Sequence, residues 1–151
     1  MTHRQSVPGQ WLIIVGEAQR KDWKALGDLA RGSGVMLLEP LGRNGRRPLG
    51  RLASARGLTL IVDGRKAVAR VHDQGELTKA LLRRTSLILV SPIHSTRSHP
   101  DWKPLPRLRA ATLARLAGRR AIALGGMNAQ RFAKIAPLGF IGWAGISAFR
   151  T

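Results

Sequence analysis

Apolar runs that are almost free of polar residues recur along the chain, and they alternate with segments of helical periodicity. Six of these runs are predicted to be strands: WLIIVG (11–16), GVMLLEP (34–40), LTLIVDG (58–64), SLILVSPI (86–93), RAIALGG (120–126) and FIGWAGIS (140–147). A seventh run, KAVARVH (66–72), fits either a strand or a helix. Strands that are apolar on both faces are typical of a parallel sheet covered by helices.

The segments between these runs place apolar residues at helical spacing, as Trp23, Leu26 and Leu29 do. Strands that alternate with helices predict right-handed crossovers between parallel neighbours. No Ser/Gly-rich linker or low-complexity tract divides the sequence. We therefore predict one α/β domain over residues 1–151.

The charge of the chain is strongly positive, with 26 Lys and Arg against 8 Asp and Glu, a formal net charge of +18. Such a field attracts nucleic acid, anionic membrane surfaces or phosphorylated small molecules. The arginines are spread along the sequence, although residues 42–57 form the densest stretch without an acid. A solvated basic surface and a dedicated groove both remain open at this point.

The chain has no cysteine, which excludes disulfides and thiolate chemistry and suits a cytoplasmic protein. No apolar run is long enough for a bilayer-spanning helix. The N-terminal apolar run is short and lacks a small-residue cleavage site, so we do not expect a signal peptide.

Polar and glycine residues cluster where the predicted strands end. In parallel α/β folds, functional groups gather at the carboxyl ends of the strands. These positions are Glu39, Asp63, the stretch from Ser91 to His99, the stretch from Gly125 to Asn128, and the stretch from Gly145 to Ser147.

The last two of these strand ends predict a phosphate site. Gly125 and Gly126 precede Asn128, a plausible helix N-cap, and "GIS" repeats the glycine-opened helix start one unit later. Glycine lets backbone amides approach an anion closely, and many β/α barrels bind phosphate after their last two strands. Hydroxyls, an imidazole and Arg97 in the 91–99 loop would form a second wall of donors. The alternatives are a tight turn and a polar surface loop.

Several well-known motifs do not occur in the sequence, among them the Walker loop, GxSxG, GxGxxG and HExxH. His72 and His94 are therefore expected in surface or turn roles. Trp11 and Trp143 lie in apolar runs and are expected in the core, whereas Trp102 is expected to be the most exposed tryptophan.

Three C-terminal motifs resemble those of thiamine phosphate synthase and its TenI-like relatives, which are small β/α barrels. "SPIHSTRSHP" places Thr96, Ser98 and Pro100 on the family's T-x-[ST]-K-P pattern, with His99 where the family usually has lysine. "ALGGMNAQRF" matches the family's Ala-x-Gly-Gly-Ile followed by a helix-opening residue. "GISAF" matches its apolar-Ser-Ala phosphate turn.

This resemblance implies an enzyme that joins hydroxymethylpyrimidine diphosphate to a thiazole phosphate and releases pyrophosphate with magnesium. It implies catalytic or pyrophosphate-holding roles for Thr96, Ser98 and His99. It implies phosphate binding by Gly125, Gly126, Asn128, Ile146 and Ser147. Arg43 and Asp63 are the weaker candidates for the pyrimidine and metal side.

The N-terminal half departs from the family pattern. "LLEPLGR" offers only Arg43 in place of a Gln-x-Arg-x-Lys motif, and "VDGR" offers Asp63 and Arg65 in place of Asn-Asp-Arg. The family's Asp-Gly-Val-His-Leu-Gly strand, with its magnesium-binding Asp, has no counterpart. About one βα unit is therefore missing, and β/α barrels usually have at least ~200 residues. We predict a truncated TIM-like β/α barrel with predominantly parallel strands and covering helices.

Three functions remain open from the sequence. The first is a thiamine phosphate synthase or TenI-like protein that binds a phosphorylated thiazole, with turnover undecided because few carboxylates are available for Mg²⁺. The second is a non-catalytic basic module for RNA or another polyanion. The third is a pseudoenzyme completed by a partner chain or a homodimer, because an incomplete barrel leaves sheet edges unpaired.

Overall fold

The computed structural model of the chain describes residues 7–15, 20–38, 43–62, 67–97, 99–146 and 148–149, without the side chains of residues 20, 21, 43, 44 and 46. Its strands are β1 (Gln10–Ile14), β2 (Gly34–Leu37), β3 (Thr59–Ile61), β4 (Val68–Val71), β5 (Leu87–Val90), β6 (Ala121–Leu124) and β7 (Gly142–Gly145). Its helices are α1 (Arg20–Asp28), α2 (Arg43–Arg56), α3 (Gln74–Leu82), α4 (Arg107–Ala117) and α5 (Ala129–Ile135). The six expected strands are confirmed, and the ambiguous run 66–72 contains a strand.

The seven strands form one parallel sheet in the order β3-β2-β1-β7-β6-β5-β4. Neighbours in the sheet follow the chain order except where β1 pairs with β7, as the first and last strands of a β/α barrel do. The sheet curls into a half-barrel covered by helices. The predicted truncated TIM-like architecture is confirmed.

The two edges of the sheet are β3 and β4, which are consecutive in the chain. Only residues 62–67 separate them, whereas a helical crossover between parallel strands needs about ten residues or more. The order is therefore that of a barrel from which one βα unit is missing between β3 and β4. The unit that has no counterpart in the motif comparison, after VDGR, falls at the same place in the sequence.

The buried residues divide into an inner cluster and two outer clusters, because successive strand side chains point to opposite faces. The inner cluster contains strand residues and lies on the concave face: Trp11, Ile13, Met36, Val68, Leu87, Leu89, Ile122, Leu124 and Ala144. One outer cluster packs β1 and β2 against α1 and α2. The other packs β4 to β7 against α3, α4 and α5.

Trp11 fills the amino end of the barrel. Its side chain is 1% exposed, and its indole N–H donates to the Pro8 carbonyl at 2.9 Å. Its register partner on β2 is Gly34, where an added Cβ would lie 2.1 Å from the Trp11 ring. The tryptophan and the glycine therefore form one packing unit, and the expected core position of Trp11 is confirmed.

Some boundaries differ from the sequence prediction. Helix α2 begins at Arg43 and contains Pro48 in its interior, whereas the sequence RPLGRLASARG (47–57) favours a shorter helix. The helix start expected after β7 is not found in the described residues there, since Ala148 and Phe149 lie in a turn. Of the described helices, none is both long and apolar enough to cross a membrane.

Candidate anion-binding cleft

A cleft of about 330 Å³ opens at the carboxyl end of the half-barrel. Its walls come from β4, from the loops that follow β5 and β6, and from the residues that follow β7. These elements are neighbours in the sheet, so their carboxyl ends meet along one rim. The cleft therefore lies where the sequence placed the candidate site.

The 91–99 loop folds over the glycine turn that follows β6. The Ile93 N–H donates to the Leu124 carbonyl at 2.9 Å, and the His94 N–H donates to the Gly125 carbonyl at 3.0 Å. Within the loop, the Thr96 hydroxyl accepts from the His99 N–H at 3.1 Å. These bonds hold the polar loop and the glycine turn as two adjoining walls of one cleft.

Both glycines of that turn are required by the backbone. Gly125 and Gly126 have φ angles of +109° and +58°, a region that side chains other than glycine rarely adopt. An added Cβ on Gly126 would lie 2.7 Å from the Ser95 carbonyl oxygen, so the close approach is to the loop. The N–H groups of Gly126 and Met127 have no backbone acceptor among the described residues. The turn therefore requires both glycines for its backbone conformation, and the same turn also lines the cleft.

Three arginines line the cleft, namely Arg70, Arg97 and Arg131, and the described lining contains no Asp or Glu. Arg131 donates from its guanidinium to the Gly126 carbonyl, which fixes it beside the glycine turn. Arg70 projects from β4, and burial lowers the pKa of its guanidinium. No carboxylate of the described residues pairs with Arg70. The described lining of the cleft is therefore cationic and contains no counter-ion.

An aromatic group forms the wall beside Arg70. The His99 and Trp102 rings are stacked, with centroids 4.1 Å apart and an interplanar angle of 9°. The Arg70 guanidinium lies 5.8 Å from the Trp102 ring centroid. His72 approaches Trp102 edge-on at 5.8 Å, and its Nδ1 donates to the Ser91 carbonyl at 2.6 Å.

Most of the described candidate residues meet in this cleft. Its lining includes Thr96, His99, Gly125, Gly126 and Ile146. Asn128 instead has its side chain engaged as the N-cap of α5, accepting from the Arg131 N–H at 2.8 Å, which confirms the predicted cap.

The other candidates give less structural information. Ser98, Ser147, Asp63, Glu39 and Arg65 lie outside the described residues, as does the side chain of Arg43.

Sequence reasoning missed Arg70, Arg131 and Trp102 as members of the site. Arg70 carried a usable signal, because it is the one charged residue in the seven described strands. A charge on the concave face of an apolar sheet requires a compensating group or ligand. Arg131 and Trp102 had no comparable signal, since only the fold brings them to the cleft.

Comparison with solved structures shows a similar fold in a thiamine phosphate pyrophosphorylase from Pyrococcus furiosus. The two share 12% sequence identity with a TM-score of 0.69, over 95% of this chain and 88% of that one. At this identity the likeness concerns the fold. No family model matches the sequence, and no curated protein matches it.

The family that the motifs resemble uses magnesium, and the donor groups of the cleft decide whether this chain could hold that ion. Mg²⁺ takes oxygen ligands, usually including one or two carboxylates. The described lining of the cleft offers arginine, imidazole, hydroxyl and backbone groups instead. Among the described residues there is also no group of three or more His, Asp or Glu that could hold a metal ion. The described side chains do not fit this ion.

Proposed function

We propose that the cleft binds a phosphorylated small molecule of the thiazole phosphate kind, as a thiamine phosphate synthase or TenI-like protein would. The observation that carries the proposal is the set of three arginines around one cleft whose described lining has no acid. A partly buried cation without a carboxylate partner is costly unless an anion neutralises it. A phosphate group supplies that charge and several acceptor oxygens.

The positions of the arginines support a phosphate near the glycine turn. Arg131 is fixed there through the Gly126 carbonyl, and the amides of Gly126 and Met127 have no backbone acceptor among the described residues. Guanidinium and backbone N–H groups are common phosphate donors. The three C-terminal motifs and the likeness of fold make a phosphorylated thiazole the first ligand to test.

The proposal concerns binding, and condensation is a separate step. Among the described residues, the cleft lining holds no carboxylate that could serve as a base or a metal ligand. Turnover with hydroxymethylpyrimidine diphosphate, thiazole phosphate and Mg²⁺ tests that step directly. Formation of thiamine phosphate by the wild type, and its loss in Asp63→Ala, would extend the proposed function to synthesis.

Calorimetric titration with thiazole phosphate tests the binding. Arg70→Gln is expected to weaken binding by about tenfold to a hundredfold, since a hydrogen bond to a charged group contributes about 1.5–3 kcal/mol. Arg115→Gln is the matched control, because Arg115 is exposed on α4 and does not line the cleft. The expected change there is less than about twofold.

The same pair of variants separates a specific site from attraction by the net charge. Equal weakening in both variants would contradict the proposed function and favour general binding of polyanions such as RNA. In that case affinity for RNA would fall steeply with salt and would respond alike to either arginine.

A further inference from the structure

We infer that Trp102 recognises a planar heteroaromatic ring of the bound phosphate ester, and that His99 occupies this ring position in the free protein. The inference rests on the proposed function and names the class of ligand more closely. The decisive observation is the parallel stack of His99 on Trp102, with centroids 4.1 Å apart. A flat ligand ring would bind the same indole face with the same geometry.

Trp102 is accessible to a ligand and lies beside the cationic part of the cleft. Its side chain is 40% exposed, and both Trp102 and Arg70 line the cleft. The guanidinium of Arg70 lies 5.8 Å from the indole centroid. A ring stacked on Trp102 would therefore place an attached anionic group within the same arginine-lined space.

The edge of the indole also packs against a side chain that is itself held in place. His72 contacts it edge-on at 5.8 Å, and His72 is itself held twice. Its Nδ1 donates to the Ser91 carbonyl at 2.6 Å, and its backbone N–H donates to the Glu76 carboxylate at 2.7 Å. A preorganised aromatic face needs little reordering on binding.

His99, by contrast, is held through its backbone. Its N–H donates to the Thr96 hydroxyl at 3.1 Å, and its carbonyl accepts from the Trp102 N–H at 3.1 Å. No hydrogen bond to its imidazole is seen among the described residues, and the residue is exposed. The imidazole can thus leave the indole by side-chain rotation while the backbone hydrogen bonds of His99 stay intact.

The cleft therefore suits a ligand with two parts, a flat ring and a phosphate on a short link. The ring would replace His99 on Trp102, and the phosphate would lie between the arginines and the Gly126 turn. Trp102, the arginines and the Gly126 turn all line one cleft of about 330 Å³, a volume within the usual range for small-ligand sites. A phosphate ester without a ring would contact only the arginines and the Gly126 turn.

The test compares thiazole phosphate with ethyl phosphate by calorimetry in the wild type and in Trp102→Leu. We expect Trp102→Leu to weaken thiazole phosphate binding by roughly tenfold, in line with measured aromatic stacking, and to leave ethyl phosphate unchanged. Trp102→Phe should retain most of the affinity, and an unchanged melting temperature would show that folding is intact. Equal weakening of both ligands by Trp102→Leu would overturn the inference.

His99→Ala tests the second half of the inference. If the imidazole competes with the ligand ring, its removal should tighten thiazole phosphate binding by a few-fold and leave ethyl phosphate unchanged. Weaker thiazole phosphate binding would show that His99 holds the ligand and would overturn the placeholder role.

The two ligands separate failure of this inference from failure of the proposed function. Wild-type protein that binds both esters equally would contradict ring recognition while the phosphate site stands. Wild-type protein that binds neither ester would contradict both.

Discussion

The two ends of the half-barrel are built in opposite ways. At the amino end, the Trp11 ring fills the interior, Gly34 makes room for it, and its one polar atom bonds internally to Pro8. At the carboxyl end, small residues such as Gly125 and Ala144 leave space, and Arg70 faces a cleft. The difference indicates that stability is concentrated at the amino end, which is the closed end of the half-barrel. The carboxyl end, which is the open end, can therefore hold charges that would otherwise be unfavourable.

Trp11→Ala is expected to give the largest effect. Removing a fully buried tryptophan leaves a cavity at the closed end and should lower the free energy of unfolding by about 3–5 kcal/mol. Urea unfolding followed by circular dichroism measures this. A loss below about 1 kcal/mol would mean that the amino end does not depend on this ring.

Gly34→Ala should give the next largest loss of stability. Its Cβ would lie 2.1 Å from the Trp11 ring, so the ring must move, at a cost of about 1–3 kcal/mol. In a Trp11→Ala background the same substitution should cost almost nothing, because the two residues form one packing unit. Gly27→Ala is the control: its Cβ meets nothing within 4 Å in α1, and it should stabilise by about 0.5–1 kcal/mol.

Gly126→Ala probes the open end. Alanine at a φ of +58° costs about 1–2 kcal/mol, and its Cβ would also press on the Ser95 carbonyl. Gly32→Ala separates these two causes, because Gly32 has a φ of +86° and nothing within 4 Å of an added Cβ. Only Gly126→Ala should also weaken thiazole phosphate binding. Calorimetric titration of both variants with thiazole phosphate measures this difference.

Arg70→Gln should separate stability from binding. In the absence of ligand we expect unchanged or slightly raised stability, within about 1 kcal/mol after solvent screening, because a partly buried cation is removed. Binding should fall in the same variant, as described for the proposed function. A clear loss of stability in urea would show that Arg70 has a structural counter-ion in the free protein.

The smallest expected effect concerns His94. Burial, together with the nearby charges of Arg131 and Lys134, lowers the pKa of its imidazole below the ordinary 6.5. The unfolded chain therefore takes up the proton first, and stability falls as the pH drops below that value. His94→Gln should lose less stability than the wild type between about pH 7 and about pH 5. An identical loss in urea titrations would exclude His94 as a contributor.

The fold was largely predictable because it depends on apolar periodicity. The runs that became β1, β2, β5, β6 and β7 are continuously apolar, and parallel strands buried on both faces require this. The strand β4 was ambiguous because Arg70 interrupts its apolar pattern. Helix α2 extends back to Arg43, beyond the segment RPLGRLASARG, although proline inside a helix is normally unfavourable.

The site was predictable only where its residues are consecutive. The glycine turn and the 91–99 loop each carry their signal in a short stretch. The cationic and aromatic walls join Arg70, Trp102 and Arg131, which are distant in sequence and meet only through the order of β4, β5 and β6. Their proximity depends on the order of strands in the sheet, and no short stretch of sequence indicates it.

The strand order also divides the molecule in two. Residues 7–62 contain β1 to β3, and residues 67–149 contain β4 to β7; the only strand pairing between these parts joins Gln10–Leu12 to Trp143–Gly145 among the described residues. The chain is thus organised as two contiguous fragments that are joined by one strand pairing and by the inner cluster, which contains residues of both. Separately expressed fragments would have to restore that pairing and that shared cluster to recombine.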